Sequence, residues 1–356
     1  MESFIPFFAI VIGILTGIIL QRGRVCTNSA FRNLLFARNS ELMIIVILTV
    51  TTEMIGYQIL TLFPSPEFIF ESNPISLSLL LLPIGSFLFG IGTVFAGGCA
   101  GGICYRMGEG SLKAFLAFLG FAVGIGFLAI EPLSGLISKI RIPTSWVVGG
   151  KIPSLEMILP RWIWTILALG LSISGIIYYY KKESKELTHL LPHWTPVVSG
   201  VLLGILGVVS RYFSTISGRA FGFSTIDGIG EIFQIITSFI GIFSPIQIGW
   251  AGLFMIGLIF GAALSSIQIN EFKLKFPARL DIIQFFGGGL MMGFGAMLAL
   301  GCNFGHIFGG IPELGISSIL ALIFMILGNW LGSYMFYSVM NNDLPKSTPI
   351  SLSIKP

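Results

Sequence analysis

The chain has 356 residues, 54% of them hydrophobic and only 10% charged, with a formal net charge of +4. Soluble domains carry about 25% charged residues, so a soluble globular protein is excluded, and the long continuous apolar runs exclude a membrane β-barrel, whose strands are about ten residues of alternating hydrophobicity. The charge gives no footing for nucleic acid, because Lys and Arg cluster in short loops as membrane topology requires, and four cysteines in a chain this long make no secreted disulfide scaffold.

In chain order, nine apolar segments are long enough to span a bilayer: 4–20, 42–63, 79–98, 112–133, 162–180, 195–213, 247–267, 282–301 and 315–338. The first lacks a basic leader and a clear small-residue cleavage site before Gln21-Arg22, so it reads as a span and not as a signal peptide. It runs into Gly23-Arg24-Val25-Cys26-Thr27-Asn28-Ser29, where Thr27, Asn28 and Ser29 can all cap a short helix over 27–38. The second holds Glu53. A carboxylate at membrane depth is functional by default, unless an ion pair with Arg22, Arg24 or Arg106 makes it structural.

The third segment carries Gly85, Gly90 and Gly92, spaced for close helix packing, and ends in Ala96-Gly97-Gly98-Cys99-Ala100-Gly101-Gly102. Each glycine costs up to about 1 kcal/mol relative to alanine in a helix interior, so this cluster predicts a break. A broken backbone survives at bilayer depth only where protein or a polar cavity satisfies it. A short helix over 103–108 follows, then Glu109. After the fourth segment come a long loop, 134–161, and the fifth segment, which reads as a linker.

The sixth segment leads to Gly218-Arg219-Ala220-Phe221-Gly222-Phe223-Ser224. It matches Gly23–Ser29 at an offset of 195, with Phe221 in the place of Cys26. The apolar stretch 226–243 predicts a re-entrant helix, with 27–38 as its counterpart. In the eighth segment Gly288, Gly293, Gly295, Ala299, Gly301, Cys302 and Gly305 repeat Gly85, Gly90, Gly92, Ala96, Gly98, Cys99 and Gly102 at an offset of 203. A short helix over 303–310 follows, with Asn303 and His306 near its start.

The segments group as four, one and four. An odd linker makes the second half enter the membrane from the other side, so the halves are inverted repeats. The expected architecture is an all-α polytopic membrane protein with short broken or re-entrant helices at the Gly-Cys motifs. Its parts are a first repeat (1–135), a linking region (136–194), a second repeat (195–340) and a tail (341–356). With the N-terminus outside, the inner segments 21–41, 101–113, 181–194, 268–280 and 341–356 hold 14 of the 20 Lys and Arg. The positive-inside rule then puts the C-terminus in the cytoplasm.

A break followed by a short helix aims free N–H groups and a positive dipole end at the gap, which suits an anion. Cys26, Cys99 and Cys302 fall at or near such starts. With Gly98, Gly101, Gly102, Gly301, Asn303 and Gly305 they form the candidate substrate path. The competing reading of a membrane cysteine is a small buried apolar residue. Arg24 and Arg219 are matched by the repeat, as are Glu109 and Glu313 after a one-residue shift; these read as structural pairs near the interfaces. Arg106, Asn28 and Ser29 flank the motifs as supporting residues. His306 either moves protons or is a satisfied interface histidine. Cys104 falls opposite Ile307 and looks incidental. There is no GxxxxGK[ST] motif, no zinc spacing and no Ser-His-Asp arrangement, and His189 and His193 sit in a polar loop. No cofactor, metal or nucleic-acid partner is expected.

The run Gln21-Arg22-Gly23-Arg24-Val25-Cys26-Thr27-Asn28-Ser29-Ala30-Phe31-Arg32 resembles the first motif of the YeeE/YedE family of bacterial membrane transporters. Ala96–Gly102 with Tyr105-Arg106-Met107-Gly108-Glu109-Gly110 resembles the second, and Gly301-Cys302-Asn303-Phe304-Gly305-His306 the third. The likeness covers nearly the whole chain, including Glu53-Met54 and Gly328-Asn329-Trp330. It implies a thiosulfate importer of the inner membrane with nine spanning helices and an hourglass shape. The family's three pathway cysteines fall on Cys26, Cys99 and Cys302. Its cytosolic partner is a small TusA-like sulfur carrier, YeeD, which is absent from this chain. Some relatives are linked to selenium or persulfide metabolism. Cys104 departs from the motif, where a small non-cysteine residue is usual.

Thiosulfate is a dianion with a soft terminal sulfur, and desolvating an ion costs of order 20 kcal/mol per charge. The expected path replaces water with neutral thiols, weak S–H donors suited to a sulfur acceptor. Cys99 is placed near the outer funnel, with Cys302 and Cys26 further along. Two alternatives remain on the residues alone: a transporter of another sulfur or selenium species, and a membrane thiol enzyme forming a persulfide on Cys99. A metal or sulfate permease is a third class, but sulfate offers only hard oxygens to a row of thiols.

Overall fold

Most of the long helices are apolar on every side and not along one stripe, as spans surrounded by lipid and protein are. In the computed structural model the described residues are 5–37, 39–62, 74–183, 194–219, 221–223, 225–239 and 248–343. They form α1 (Ile5–Arg22), α2 (Thr27–Arg32), α3 (Glu41–Leu62), α4 (Leu81–Phe95), α5 (Ala100–Gly108), α6 (Leu112–Ala129), α7 (Leu133–Thr144), α8 (Arg161–Glu183), α9 (Pro196–Ile216), α10 (Thr225–Phe239), α11 (Trp250–Gln268), α12 (Arg279–Ala299) and α13 (Ile316–Asp343). Wider π-type turns continue α2 over Asn33–Ala37 and follow the second Gly-Cys motif over Phe304–Gly310. Among the described residues, pairing of extended backbone is limited to isolated bridges, and nine helices are long and apolar enough to cross a membrane. The protein is therefore an all-helical, multi-pass membrane protein.

Several local expectations change. The region 134–161 is not all loop, because α7 occupies its first part. That helix buries no residue. It is anchored by Arg141, whose Nη2 donates to the carbonyls of Met297 (2.8 Å) and Leu298 (3.4 Å) near the end of α12. A cation there also opposes the negative end of the α12 dipole. The helix expected over 103–108 begins earlier, at Ala100, and the one expected over 303–310 is π-type. The apolar stretch 226–243, expected to be re-entrant, is helical as α10 up to Phe239, and 240–243 lie outside the described residues. The tail 344–356 and the loop 184–193, with His189 and His193, lie outside the described residues.

The helices pack mainly across the two halves. α1 lies on α11 and α9 on α3; α6 lies on α12 and α13 on α4; α4 meets α12, and α1 meets α9. If the first half is exchanged for the second, each of these pairs maps onto another or onto itself. α8 packs chiefly on α3. Glycine permits the closest approach. A Cβ on Gly85 would fall 2.6 Å from the Gly295 oxygen, and one on Gly92 2.7 Å from the Met292 nitrogen. These two positions therefore serve helix packing, as their spacing suggests.

Backbone pairings sort the loops into two faces. On the first, Trp194 N donates to Arg22 O (3.1 Å), Lys273 N to Glu109 O (3.0 Å) and Lys275 N to Gly110 O (3.1 Å). On the second, Leu79 N donates to Thr144 O (2.9 Å), Trp146 N to Leu77 O (2.8 Å) and Leu155 N to Leu314 O (2.8 Å).

Candidate functional site

The break after α4 is a left-handed turn at Gly97 (φ 71°). It delivers Cys99 in extended conformation to the N-cap of α5, where its sulfur accepts from Gly102 N at 3.2 Å. Ser, Thr or Asp normally fills such a position. A cysteine does so here, and the local chain thereby presents a thiol at a helix start. Cys26 holds the same place before α2, again extended, with φ −145° and ψ 112°. Cys302 precedes Asn303, the residue that leads into the π-type turn.

The three thiols are buried, at 2%, 1% and 1% exposure for Cys26, Cys99 and Cys302. Cys26 and Cys99 are immediate neighbours, and Thr27 stands beside Cys99. Gly102 sits against both sulfurs, for a Cβ there would be 2.8 Å from Cys26 Sγ and 3.2 Å from Cys99 Sγ. Cys302 Sγ lies 2.7 Å from Thr225 Oγ1 and also receives the backbone N–H groups of Phe304 and Gly305. Thr225 begins α10 as Thr27 begins α2. The structural offset between these helices is thus 198, and Phe221 does not occupy the place of Cys26. The sequence match slipped because the connection from Arg219 to Thr225 is three residues longer than that from Arg24 to Thr27.

Asn303 joins the two centres. Its Nδ2 donates to Thr27 Oγ1 at 2.6 Å, and its Oδ1 accepts from Ala100 N at 3.3 Å. Asn28 is fixed beside it as a buried acceptor for Thr93 Oγ1 (3.2 Å) and Asn329 Nδ2 (2.5 Å). The Ser29 backbone bonds Cys26. Arg106 supplies positive charge to the Cys26–Cys99 pocket. Its Nη1 donates to Gly97 O and also lies 3.5 Å from where a Cβ on Gly98 would sit.

A cavity of about 450 Å³ approaches this site. Pro74, Phe221, Phe223, Thr225, Asp227, Gly301, Cys302 and Gly305 are among its walls. The cavity is lined by Cys302 and by neither Cys99 nor Cys26. Cys104 is fully buried in the same apolar core as Cys302 and does not line the cavity.

The remaining candidates lie outside the cavity wall. His306 places Nδ1 3.2 Å from Ser318 Oγ and Nε2 3.2 Å from Ala299 O, so both ring nitrogens are engaged. Arg24 pairs with Glu271 at 2.9 Å, and Arg219 pairs with Asp227 and, at 3.7 Å, with Glu231. Glu109 accepts from Gln21 Nε2 at 3.3 Å; burial raises its carboxyl above the usual range, and Gln21 and Arg24 pull the other way. Glu313 forms a buried ion pair with Arg211 at 3.0 Å. The ion pair expected for Glu53 is absent. Arg22 reaches Ser265 and Gln268 on α11, Arg24 reaches Glu271, and Arg106 reaches Gly97. Both Glu53 carboxylate oxygens are buried with no hydrogen-bond partner, packed against Gly207 of α9.

Thr225, Phe304 and the Arg211–Glu313 pair were not singled out from the sequence. Thr225 alone carried a signal, since Ser224-Thr225 before an apolar stretch is a helix-start pattern. No group of three His, Cys, Asp or Glu suited to a metal occurs among the described residues.

Residues 22–331 match the profile of a family described as sulphur transport. A protein named thiosulfate transporter TsuA from Spirochaeta thermophila is 35% identical over 339 residues, covering 92% of this chain and 98% of that protein. A thiosulfate transporter TsuA from Escherichia coli is 25% identical over 344 residues, covering 92% and 94%. A probable transporter YedE from Salmonella typhimurium is 28% identical over 158 residues, covering 41% of this chain and 39% of that protein.

Proposed function

The chain belongs to the sulphur-transport (YeeE/YedE) family, and from that premise we propose that it carries thiosulfate across the bacterial inner membrane along the cysteine-lined path. Its relatives are named as transporters and not as enzymes. One observation carries the reading: three buried thiols stand at or beside the starts of helical segments, with Cys99 bonded to a backbone N–H group and Cys302 to a threonine hydroxyl in the wall of a cavity. Gly102 N donates to the Cys99 sulfur, and a thiol held through its sulfur keeps its S–H for an anion. Soft S–H donors match a terminal sulfur better than sulfate oxygens. Weak, successive sites let the ion leave as well as enter.

Orientation and repeat symmetry belong to the same proposal. The first face carries Arg22, Arg24, Lys113, Lys273, Lys275 and Arg279, which favours the cytoplasm. The cavity on the other side then opens outward. Cys302 receives the ion first, and Cys99 and Cys26 take it on. The exchange-related helix pairs support inverted repeats over 1–135 and 195–340, linked through 136–194. Delivery to a TusA-like sulfur carrier at the basic face completes the scheme.

Uptake of radiolabelled thiosulfate tests the reading, with sulfite, sulfate and selenite as competitors. Alanine at Cys26, Cys99 or Cys302 is expected to abolish uptake at unchanged protein level. Full uptake by all three variants overturns the relay. A mass gain of one sulfur atom on Cys99 after exposure to thiosulfate replaces it with a covalent persulfide step.

A further inference from the structure

The cavity is lined by Cys302 and by neither of the other two thiols, which leaves a gap between them and its wall. Phe304 fills that gap. It is 1% exposed. Its ring meets the ring of Phe223, a cavity wall, edge to face with centroids 5.7 Å apart. On its other side the ring covers Gly101, where a Cβ would come within 2.8 Å of Cζ. The next residue, Gly102, is the point at which Cys26 and Cys99 meet. One side chain therefore touches the wall of the Cys302 cavity and the floor of the Cys26–Cys99 pocket.

The repeat explains the fit. Gly101 and Phe304 occupy the same position of the duplicated motif, 203 residues apart, and they face each other. One copy leaves a hole and the other fills it. The backbone beside the plug has room: apart from its own chain neighbours and local helix backbone, nothing lies within 4 Å of where a Cβ on Gly305 would sit, and Gly305 borders the cavity. An apolar constriction at this depth stops ions by denying them hydration, whereas a change of rotamer opens it at small cost.

We propose that Phe304 is the gate of the pathway, sealing Cys302 from Cys26 and Cys99 in the observed position and swinging toward Gly305 to let the anion pass. The proposal rests on the transport reading, and its test separates the two. In the full-length protein in membranes, Cys99 is kept as the sole cysteine and an impermeant anionic methanethiosulfonate reagent is applied from the cavity side. With Phe304 present, labelling is expected to be slow. Phe304→Ala is expected to speed it at least tenfold, Phe304→Leu by less, and Gly101→Leu added to Phe304→Ala is expected to restore protection. Equal labelling rates in the parent and the well-folded Phe304→Leu and Phe304→Ala proteins overturn the gate. Because the readout is thiol access, it stands whether or not wild-type protein takes up thiosulfate, and failure of the uptake assay sinks only the substrate.

Discussion

Thr225 Oγ1 lies 2.7 Å from Cys302 Sγ, and Thr27 stands beside Cys99 in the other half. Each Gly-Cys thiol is thus oriented by the threonine that opens the preceding short helix. A hydrogen bond of this kind contributes about 0.5–1.5 kcal/mol. Thr225→Val is expected to lower thiosulfate uptake about three- to tenfold, while Thr225→Ser keeps most of it. Initial uptake rates at low substrate check this, and equal rates in the two variants would remove the orienting role.

Gly102→Ala places a methyl 2.8 Å from Cys26 Sγ and 3.2 Å from Cys99 Sγ. The sulfurs must separate, at about 1–3 kcal/mol of overpacking strain. Uptake is expected to fall more than tenfold while the protein remains folded. Gly309→Ala is the control, because no atom lies within 4 Å of its added methyl; it is expected to behave as wild type in both uptake and melting.

Asn303→Ala removes two buried bonds at once, to Thr27 Oγ1 and from Ala100 N. Leaving a buried polar group unpaired costs about 1–3 kcal/mol. The variant is expected to melt several degrees lower and to lose uptake. Asn303→Asp keeps an acceptor for Ala100 N but sets a carboxylate beside a dianion path, so the expected result is better stability than the alanine variant with no better uptake. Thermal melting in detergent and uptake in vesicles read the two effects separately.

The Arg211–Glu313 pair is 2% and 1% exposed. Breaking a buried pair by removing one partner costs about 3–5 kcal/mol, whereas replacing both with apolar residues is often neutral. Arg211→Met is therefore expected to be among the most destabilising changes outside the thiol site. Arg211→Met with Glu313→Leu is expected to recover most of the loss. A double-mutant cycle on melting temperature decides it, with additivity as the contrary result.

What the sequence made legible was what glycine and hydropathy encode. Nine apolar runs became nine candidate spans, and the Gly97-Gly98 cluster marked a true break. Burial at helix starts followed for Cys26 and Cys99, because a break at membrane depth needs capping. The register of α10 was not legible, since one Gly-Arg match fixed the offset at 195 while a second connection three residues longer shifted the helix start. Phe304 was invisible for a different reason. It is one of 32 phenylalanines, and only its contact with Gly101 sets it apart. Glu53 drew attention by its charge, but its neighbours are set by packing between α3 and α9, which no local pattern records.

The helix pairings across the halves bear on how the chain is made. α1 and α3 find their principal partners in α11 and α9, and α4 and α6 find theirs in α12. During synthesis the first half thus enters the bilayer before most of its contacts exist. Its glycine faces meet lipid until the later helices arrive, and Cys26 and Cys99 wait without Asn303 to tie their helix starts together. Folding closes from the far end of the chain, when α12 and α13 slot between helices already inserted. A truncation late in the gene therefore undoes the beginning of the protein as surely as its end.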